Sequence, residues 1–511
     1  MGDVESARSD SRSAMLSPRI IAALSGVFIG AMASGLNSRS GSLALVDIRG
    51  ELGIGLDDGS WLSALFSTGE LMVMPFAGWF AITFSIRRFF LTMLWTTALI
   101  ALVVPLIVNP QLAMGLRLLQ GMSGGALIPL LMMMAMKFLP PAIRLHGLAL
   151  YALTATFTPN LAIWIVGIWS NGTHDLHWVA WQFLPPAVLC SLLVGWGLPK
   201  EPINWQRFAT MDWLGLLTGM VGMLALGIGL AQGNRLDWFN SPLITFCLVT
   251  AGLCIAVFVC SEWTHPAPFI RFQLLLRRNL LVGFTVFVLM LVMLYSAAAL
   301  PMQFLAAAQG YRVEQSAPIG LITGVPQLVL GSCVALLLYQ KWVDARVLFS
   351  AGLLLIGLSC LYAAHLTGEW SWREFVPVQV MQALGQPLAI ISMLFLTTSS
   401  VQPSEGPFVS GLVNMLRSMG SLAGVAFVGW FDDLRTHAHQ THLFDQIGRA
   451  FDLLPSQVKA AGFAMDAQIN ALTSADIYRA LGWLALISVP TGLLFKHVPA
   501  PSLPSDKAEL S

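Results

Sequence analysis

Fourteen apolar stretches dominate this chain, near residues 20–46, 60–83, 88–108, 111–136, 143–169, 178–198, 212–231, 241–262, 279–306, 316–340, 346–366, 374–398, 406–431 and 478–496. Each is close to the roughly 20 residues a helix needs to cross the hydrocarbon core of a bilayer. Charged residues make up 10% of the 511-residue chain, against about a quarter in a soluble globule. Backbone groups in lipid must be satisfied within their own segment, so the expected fold is an all-α polytopic membrane protein with 14 transmembrane helices. The first apolar run is long and has no small-residue cleavage pattern, so it reads as a span rather than a removable signal peptide.

Charge distribution orients the spans. Starting from an inside N-terminus, basic residues such as Arg87, Arg88, Lys137, Arg144, Lys200, Arg207, Arg271, Arg277, Arg278 and Lys341 collect on one side. The short loops on the other side hold only Arg49, Arg235, Arg312 and Arg373. This positive-inside asymmetry places both termini in the cytoplasm. The net charge of +1 gives no footprint for nucleic acid, and the expected surroundings are membrane lipid.

The spans fall into a 6+2+6 plan. Residues 1–18 form a cytoplasmic tail, 19–200 a six-helix bundle, and 201–270 two extra transmembrane helices. Residues 271–497 form a second six-helix bundle, and 498–511 a C-terminal tail. The second bundle includes a long periplasmic loop at 432–477, which could cover the outer mouth or meet a partner. Transporters built from such halves hold their substrate between them near the midplane.

Charges inside hydrocarbon cost roughly 2.5–3.5 kcal/mol on insertion scales and mark functional positions. Glu70, Arg117 and Arg417 lie where the chain should cross lipid. Glu70 shares a helical face with Ser63 and Ser67 and sits about 15 Å into its span at 1.5 Å per residue. Low-dielectric surroundings favour its neutral form, whereas a nearby arginine favours the ionised form. It therefore reads either as a proton carrier or as a fixed salt-bridge partner of Arg39 or Arg117. Arg117, Gln120, Gly121 and Gly124 follow i, i+3, i+4, i+7 spacing on one face. That seam of small and polar residues suits close helix contact, so Arg117 either couples transport or locks helices together.

Asn414, Arg417, Ser421 and Gly424 make a similar face, with Arg417 about 16 Å deep. A bound anion, backbone carbonyls or water are its expected partners. Asn37-Ser38-Arg39-Ser40-Gly41-Ser42 could line a cavity, or could be a span end where Arg39 snorkels. Trp61, Phe157 and Met415 are candidate apolar contacts, although membrane aromatics more often pack or face lipid.

Other features point to little chemistry. The six cysteines lack metal-ligand spacing and read as packed thiols. His437, His439 and His442 have no completing ligand set, so no metal site is expected. Asn171-Gly172-Thr173 matches a glycosylation acceptor. No phosphate-binding loop or nucleophile–base pair is evident, which argues against an ATP-driven pump or an enzyme with catalytic residues.

With these motifs in view, residues 20–497 resemble the major facilitator superfamily, and within it the fourteen-span EmrB/QacA-type drug:proton antiporter family. Arg117-Leu118-Leu119-Gln120-Gly121 resembles the fourth-span motif. Gly385 to Gly424, with Asn414 and Arg417, resembles the helix 12–13 region. Leu300-Pro301, Gly310-Tyr311 and Pro326 resemble the helix 9–10 region, while Trp61, Gly78, Arg87 and Arg88 fall in the second span and following loop. Three departures stand out: Asn37 replaces the first-span acid, the loop after span two lacks its Asp and second Gly, and Thr158-Pro159-Asn160 replaces the fifth-span Gly-Pro. The resemblance implies two six-helix bundles plus two inserted helices, a proton gradient in place of a cofactor, and a bacterial inner-membrane location. It also implies a periplasmic adaptor and a TolC-like outer-membrane channel as partners.

The resulting expectation is a proton-coupled exporter of small amphipathic or anionic organic compounds, of multidrug type and with a link to antibiotic resistance. Glu70, Arg117 and Arg39 would serve proton coupling. Asn37, Gln120, Asn414, Arg417, Trp61, Phe157 and Met415 would contact the substrate. A dedicated metabolite or siderophore exporter, and a non-transporting receptor or scaffold on the same fold, are the competing readings.

Overall fold

The computed structural model describes residues 17–169, 177–448 and 455–500. Most of both tails and the Asn171-Gly172-Thr173 triplet fall outside these residues. Thirteen helices are long and apolar enough to cross a membrane, and a bent pair supplies a fourteenth. They are α1 (Pro18–Leu43), α2 (Leu56–Val73 and Ala77–Phe84), α3 (Ile86–Leu106), α4 (Pro110–Phe138), α5 (Ile143–Gly167), α6 (Trp178–Gly197) and α7 (Trp213–Gln232). There follow α8 (Pro242–Thr264), α9 (Arg278–Gln309), α10 (Val313–Leu338), α11 (Ala345–Ala363), α12 (Val376–Thr398), α13 (Gly406–Gly448) and α14 (Pro455–Ser488). We call the face where α1 begins proximal and the opposite face distal.

Local sequence sets the ends and breaks. Ser17 caps α1 ahead of Pro18, and Asn109 caps α4 ahead of Pro110, its Oδ1 accepting from Gln111 N at 2.9 Å. Such caps satisfy orphan amides of the first turn, where proline has no donor to lose. Gly310 ends the helical run of α9 at φ +65°, a conformation glycine adopts without steric cost. The two parts of α2 meet at 61°. Pro75 lies at that break, where its ring and missing N–H interrupt the hydrogen-bond ladder.

Close approach fixes the α2–α4 pair. A Cβ on Gly121 would strike the Phe66 carbonyl oxygen, and one on Gly69 the Leu118 carbonyl oxygen. The glycine seam expected on α4 is therefore an interhelical contact. Helix α7 packs on α2, with Gly219 against Phe76 and Gly227 against Thr68. The turn just after α7 reaches α13, where Asn234 Nδ2 donates to the Ala426 carbonyl at 3.0 Å. The inserted pair is thus seated through α7, while α8 lies outside it and is among the least buried spans.

The two helix groups meet closely on the proximal side. Ser410 Oγ donates to the Pro129 carbonyl at 2.6 Å, and Gly78 sits against Pro407. His146 stacks on Tyr339 with centroids 5.6 Å apart. These contacts leave a cavity in the middle and distal part of the interface.

Two expectations need correction. The segment 432–477, expected as a loop, is helical over its described residues and extends α13 and α14. Its charges pair across the helices: Asp476 meets Arg435 at 2.6 Å, His439 at 2.9 Å and Arg479 at 2.7 Å. Polar residues there leave the membrane without leaving the helix. Among the cysteines, Cys260 and Cys333 are exposed rather than packed, whereas Cys190, Cys247 and Cys360 are buried.

Candidate functional site

Helix α1 separates two cavities, and its helical phase decides which side chains face each. At about 100° per residue, Asn37 and Gly41 lie about 40° apart. Gly35, Ser38, Arg39 and Ser42 fall within about 100° of one another on the other side. The structure follows this division. Gly35, Ser38, Arg39 and Ser42 line a central cavity between the helix groups. Asn37 and Gly41 line a separate cavity within the first group.

The central cavity has two contiguous parts, of about 130 Å³ and 300 Å³. Their charged lining consists of Arg39, Glu70 and Arg417. Ser38 Oγ donates to Glu70 Oε2 at 3.2 Å. Among the described residues Glu70 has no ion pair within 4.0 Å, so a fixed salt bridge to Arg39 or Arg117 is not what holds it. Both arginines are still its electrostatic neighbours. Arg39 Nη2 donates to Ser421 Oγ at 3.2 Å, joining α1 to α13. It therefore lies in the cavity wall, not at a snorkelling span end.

Arg417 crosses from α13 to α5. Its Nη1 donates to Thr154 Oγ1 at 2.5 Å, and its Nη2 to the Thr154 carbonyl at 2.6 Å. The guanidinium also sits 5.8 Å from the Tyr151 ring centroid. One turn nearer the proximal face, Tyr151 Oη donates to Asn414 Oδ1 at 3.0 Å, and Asn414 Nδ2 donates to the Ser410 carbonyl at 2.8 Å. Asn414 is fully buried, and the hydrogen bond from Tyr151 fastens α13 to α5. The adjacent Met415 is buried in the same core.

Phe157 stands at the α5–α10 contact, where a Cβ on Gly324 would lie 3.6 Å from its ring. Trp61 is half-buried, 6.0 Å from Arg235 in the turn that follows α7. Arg117 and Gln120 sit behind α1. Arg117 Nη1 donates to Gln120 Oε1 at 2.9 Å, and the guanidinium lies 5.1 Å from the Phe66 ring centroid. The predicted residues therefore divide: Arg39, Glu70 and Arg417 converge, while Asn37, Arg117 and Gln120 form a second group.

Several polar residues escaped the sequence reading. In the second helix group Gln327 Nε2 donates to Gln386 Oε1 at 2.8 Å, and Gln386 Nε2 to Gln382 Oε1 at 3.2 Å. Gln382 Nε2 then donates to Ser359 Oγ at 2.8 Å, and Gln386 reaches the central cavity. The spacing of Gln379, Gln382 and Gln386, at i, i+3 and i+7, was the available signal. Glu262 is a fully buried acid, its Oε2 accepting from Ile270 N at 2.9 Å.

Electrostatically, two permanent cations and one titratable carboxyl in a single cavity of mixed polar and apolar lining suit an anion more than a cation. The geometry also suits alternating access, because Arg39 and Arg417 each bond across the helix groups.

Comparison with known proteins agrees with this architecture. Residues 27–210 match the family described as Major Facilitator Superfamily. The fatty acid resistance protein FarB of Neisseria gonorrhoeae is 26% identical over 424 residues, covering 81% of this chain and 80% of that protein. The multidrug export protein EmrB of Escherichia coli is 25% identical over 473 residues, covering 90% and 87%. The crystal structure of the human organic anion transporter MFSD10 shares the fold, with a TM-score of 0.56 at 13% identity, covering 92% of this chain and all of that one. Helical architecture and comparisons together make this chain a multi-pass membrane protein that matches the Major Facilitator Superfamily over residues 27–210 and is similar over most of its length to the EmrB and FarB export proteins.

Proposed function

We propose that this chain exports small amphipathic or anionic organic compounds by alternating access, in exchange for protons. The observation that carries the reading is the convergence of Arg39, Glu70 and Arg417 on one cavity between the helix groups. An anionic head would sit between the two guanidiniums, and its apolar part against Leu291, Leu294 and Met302. Glu70, held by Ser38 rather than by an ion pair, would take and release the proton. Arg117 would act on Glu70 through its charge. The proximal face would be cytoplasmic, in keeping with its basic loops, and the location a bacterial inner membrane. The closed proximal side then corresponds to a state turned towards the periplasm.

No catalytic residue and no cofactor other than the proton gradient is assigned. The distal extensions of α13 and α14 would offer a periplasmic adaptor its contact, with a TolC-like channel beyond. The names of the FarB and EmrB relatives support the export reading.

The test is substrate-triggered proton movement in proteoliposomes over a panel of anionic, neutral and cationic amphiphiles. Proton flux that requires both an anionic amphiphile and Glu70 supports antiport. Unaltered coupling in Glu70→Gln removes Glu70 as carrier, and a preference for cations removes the substrate assignment.

A further inference from the structure

Behind α1 lies a cavity of about 220 Å³ that the export reading does not use. This is several times the roughly 30 Å³ that a water molecule occupies in the liquid. Its inner end holds Arg117, 8% exposed, and Asn37, 2% exposed. The Arg117 guanidinium makes one hydrogen bond among the described residues, to Gln120, and its other contact is the face of Phe66. A Cβ on Gly41 would overlap Nη2 of Arg117, so the absence of a side chain there admits the guanidinium against α1. Asn37 Nδ2 and Gln120 Nε2 are both buried without a hydrogen-bond partner. A buried cation with no ion pair, beside the orphan Asn37 amide in the same cavity, is costly to leave unpaired.

Apart from His177 near its rim, the rest of the lining is apolar and includes Leu45, Ile48, Leu62, Leu106, Val108 and Val179. Leu106 and Val108 are 62% and 83% exposed and belong to the distal end of α3 and its following turn. The cavity thus runs from the distal membrane surface to a buried cation. Arginine matches a carboxylate with two parallel hydrogen bonds, and an Asn amide beside it can donate a third.

We propose that this cavity is a second binding site, taking a single-chain amphipathic carboxylate from the distal leaflet with its head on Arg117. The first part of the chain fills the apolar lumen, and the remainder leaves past Leu106 and Val108 into lipid. One guanidinium and this volume suit a single-tailed monoanion rather than a two-tailed phospholipid. An occupant would press on the face of α1 opposite Arg39, so the site is placed to sense membrane amphiphiles without lying on the export path.

The experiment is photolabelling of the purified full-length chain in nanodiscs with dodecanoate carrying a diazirine on its tail. The comparison probe carries the same tail on a trimethylammonium head, and labelled peptides are mapped by mass spectrometry. The expected result is carboxylate-selective labelling of residues 104–108 and 177–180. Labelling there should fall at least tenfold in Arg117→Gln and in Ala180→Trp, which fills the lumen. Labelling of the 291–302 wall of the central cavity should persist in Ala180→Trp. Equal labelling by the cationic probe in the native chain, or labelling unchanged by Ala180→Trp, overturns the proposal. The head-group comparison uses only the native protein and stands even if a variant fails to fold. Because the readout is binding and not flux, failure here is separate from failure of the antiport reading.

Discussion

Arg417 offers the sharpest test of how the two helix groups are held. Its two hydrogen bonds to Thr154 join α13 to α5 while the proximal face is closed. Charge-assisted bonds are worth about 1.5–3 kcal/mol each, so the pair contributes at most about 3–6 kcal/mol. Arg417 lines a cavity, and water can replace part of this when the groups separate. A net preference of about 1–3 kcal/mol remains, equivalent to a 5–150-fold change in population. Arg417→Met keeps the length of the side chain and removes both donors, so it should populate the state opened at the proximal face. The assay is pulsed electron spin resonance on a cysteine-substituted background, with labels at Lys137 and Gln340. Both residues are exposed at the proximal ends of α4 and α10. A new, longer distance component is expected in Arg417→Met. Thr154→Val, which removes only the hydroxyl acceptor, should give a smaller one. A double-mutant cycle should return a coupling of about 1–2 kcal/mol. If folded Arg417→Met shows the native distance distribution, the bonds do not hold this state and the reasoning fails.

Three further outcomes follow from the same coordinates. Gly121→Val should lower stability by about 3 kcal/mol or more, because the added atoms meet the Phe66 carbonyl and backbone cannot yield as a side chain does; thermal unfolding in detergent measures it, and a native Tm refutes it. Arg277, just before α9, holds the carboxyl of Glu405, in the loop between α12 and α13, below its ordinary value of 4.5. A lowered folded value contributes stability above the ordinary value and loses it as pH falls through the folded one. The fall in Tm below about pH 4.5 should therefore be shallower in Glu405→Gln than in the native chain, and equal slopes would remove the pair from the acid response. Asp476→Asn leaves Arg435, His439 and Arg479 without their shared anion, so amides of the α13 and α14 extensions should exchange faster, most at low salt; unchanged exchange would refute the pairing.

The membrane spans were legible because hydrophobic length is a local property, and lipid removes the alternatives to helix. The Gly121 seam was legible because glycine acts on its own backbone, whereas the bend at Pro75 lay unread within the apolar run 60–83. The extent of α13 and α14 was not. Hydropathy finds where a helix leaves lipid, whereas Arg435 and Asp476 keep the helices going by pairing across them. Arg417 stood out by its place within its span, yet its partner Thr154 lies 263 positions away, beyond any periodic signal. Arg39 was ambiguous because the residue types of a snorkelling end and of a cavity wall are the same. Only the neighbouring helix, with Ser421, decides between them. Glu262 was passed over because it sits at a span boundary, where an acid ordinarily meets water.

Helix α1 shows why charge depth alone does not define a site. Arg39 and Arg117 are both arginines near Glu70, and both look like candidates for one ion pair with it. The separation arises from phase: Gly41 removes a side chain from one face and so lets Arg117 lie against it, while Ser38 and Ser42 keep the other face polar towards α2 and α13. Glu70 then feels both cations without bonding either, and its hydrogen bond comes from a neutral serine. A carboxyl locked in an ion pair would give up its proton once and remain charged. On the proposed antiport reading, one surrounded by cations at a distance, and reached by a cavity, would respond when a substrate anion neutralised Arg39 or Arg417. Replacing Ser38 should then matter less to coupling than removing either arginine, because on that reading the serine positions the carboxyl whereas the arginines would link its charge to the substrate. Proton flux in Ser38→Ala that stays within a few-fold of native, beside loss of substrate-triggered flux in Arg39→Gln, would fit this arrangement. The reverse ranking would show that positioning, and not charge, connects the two.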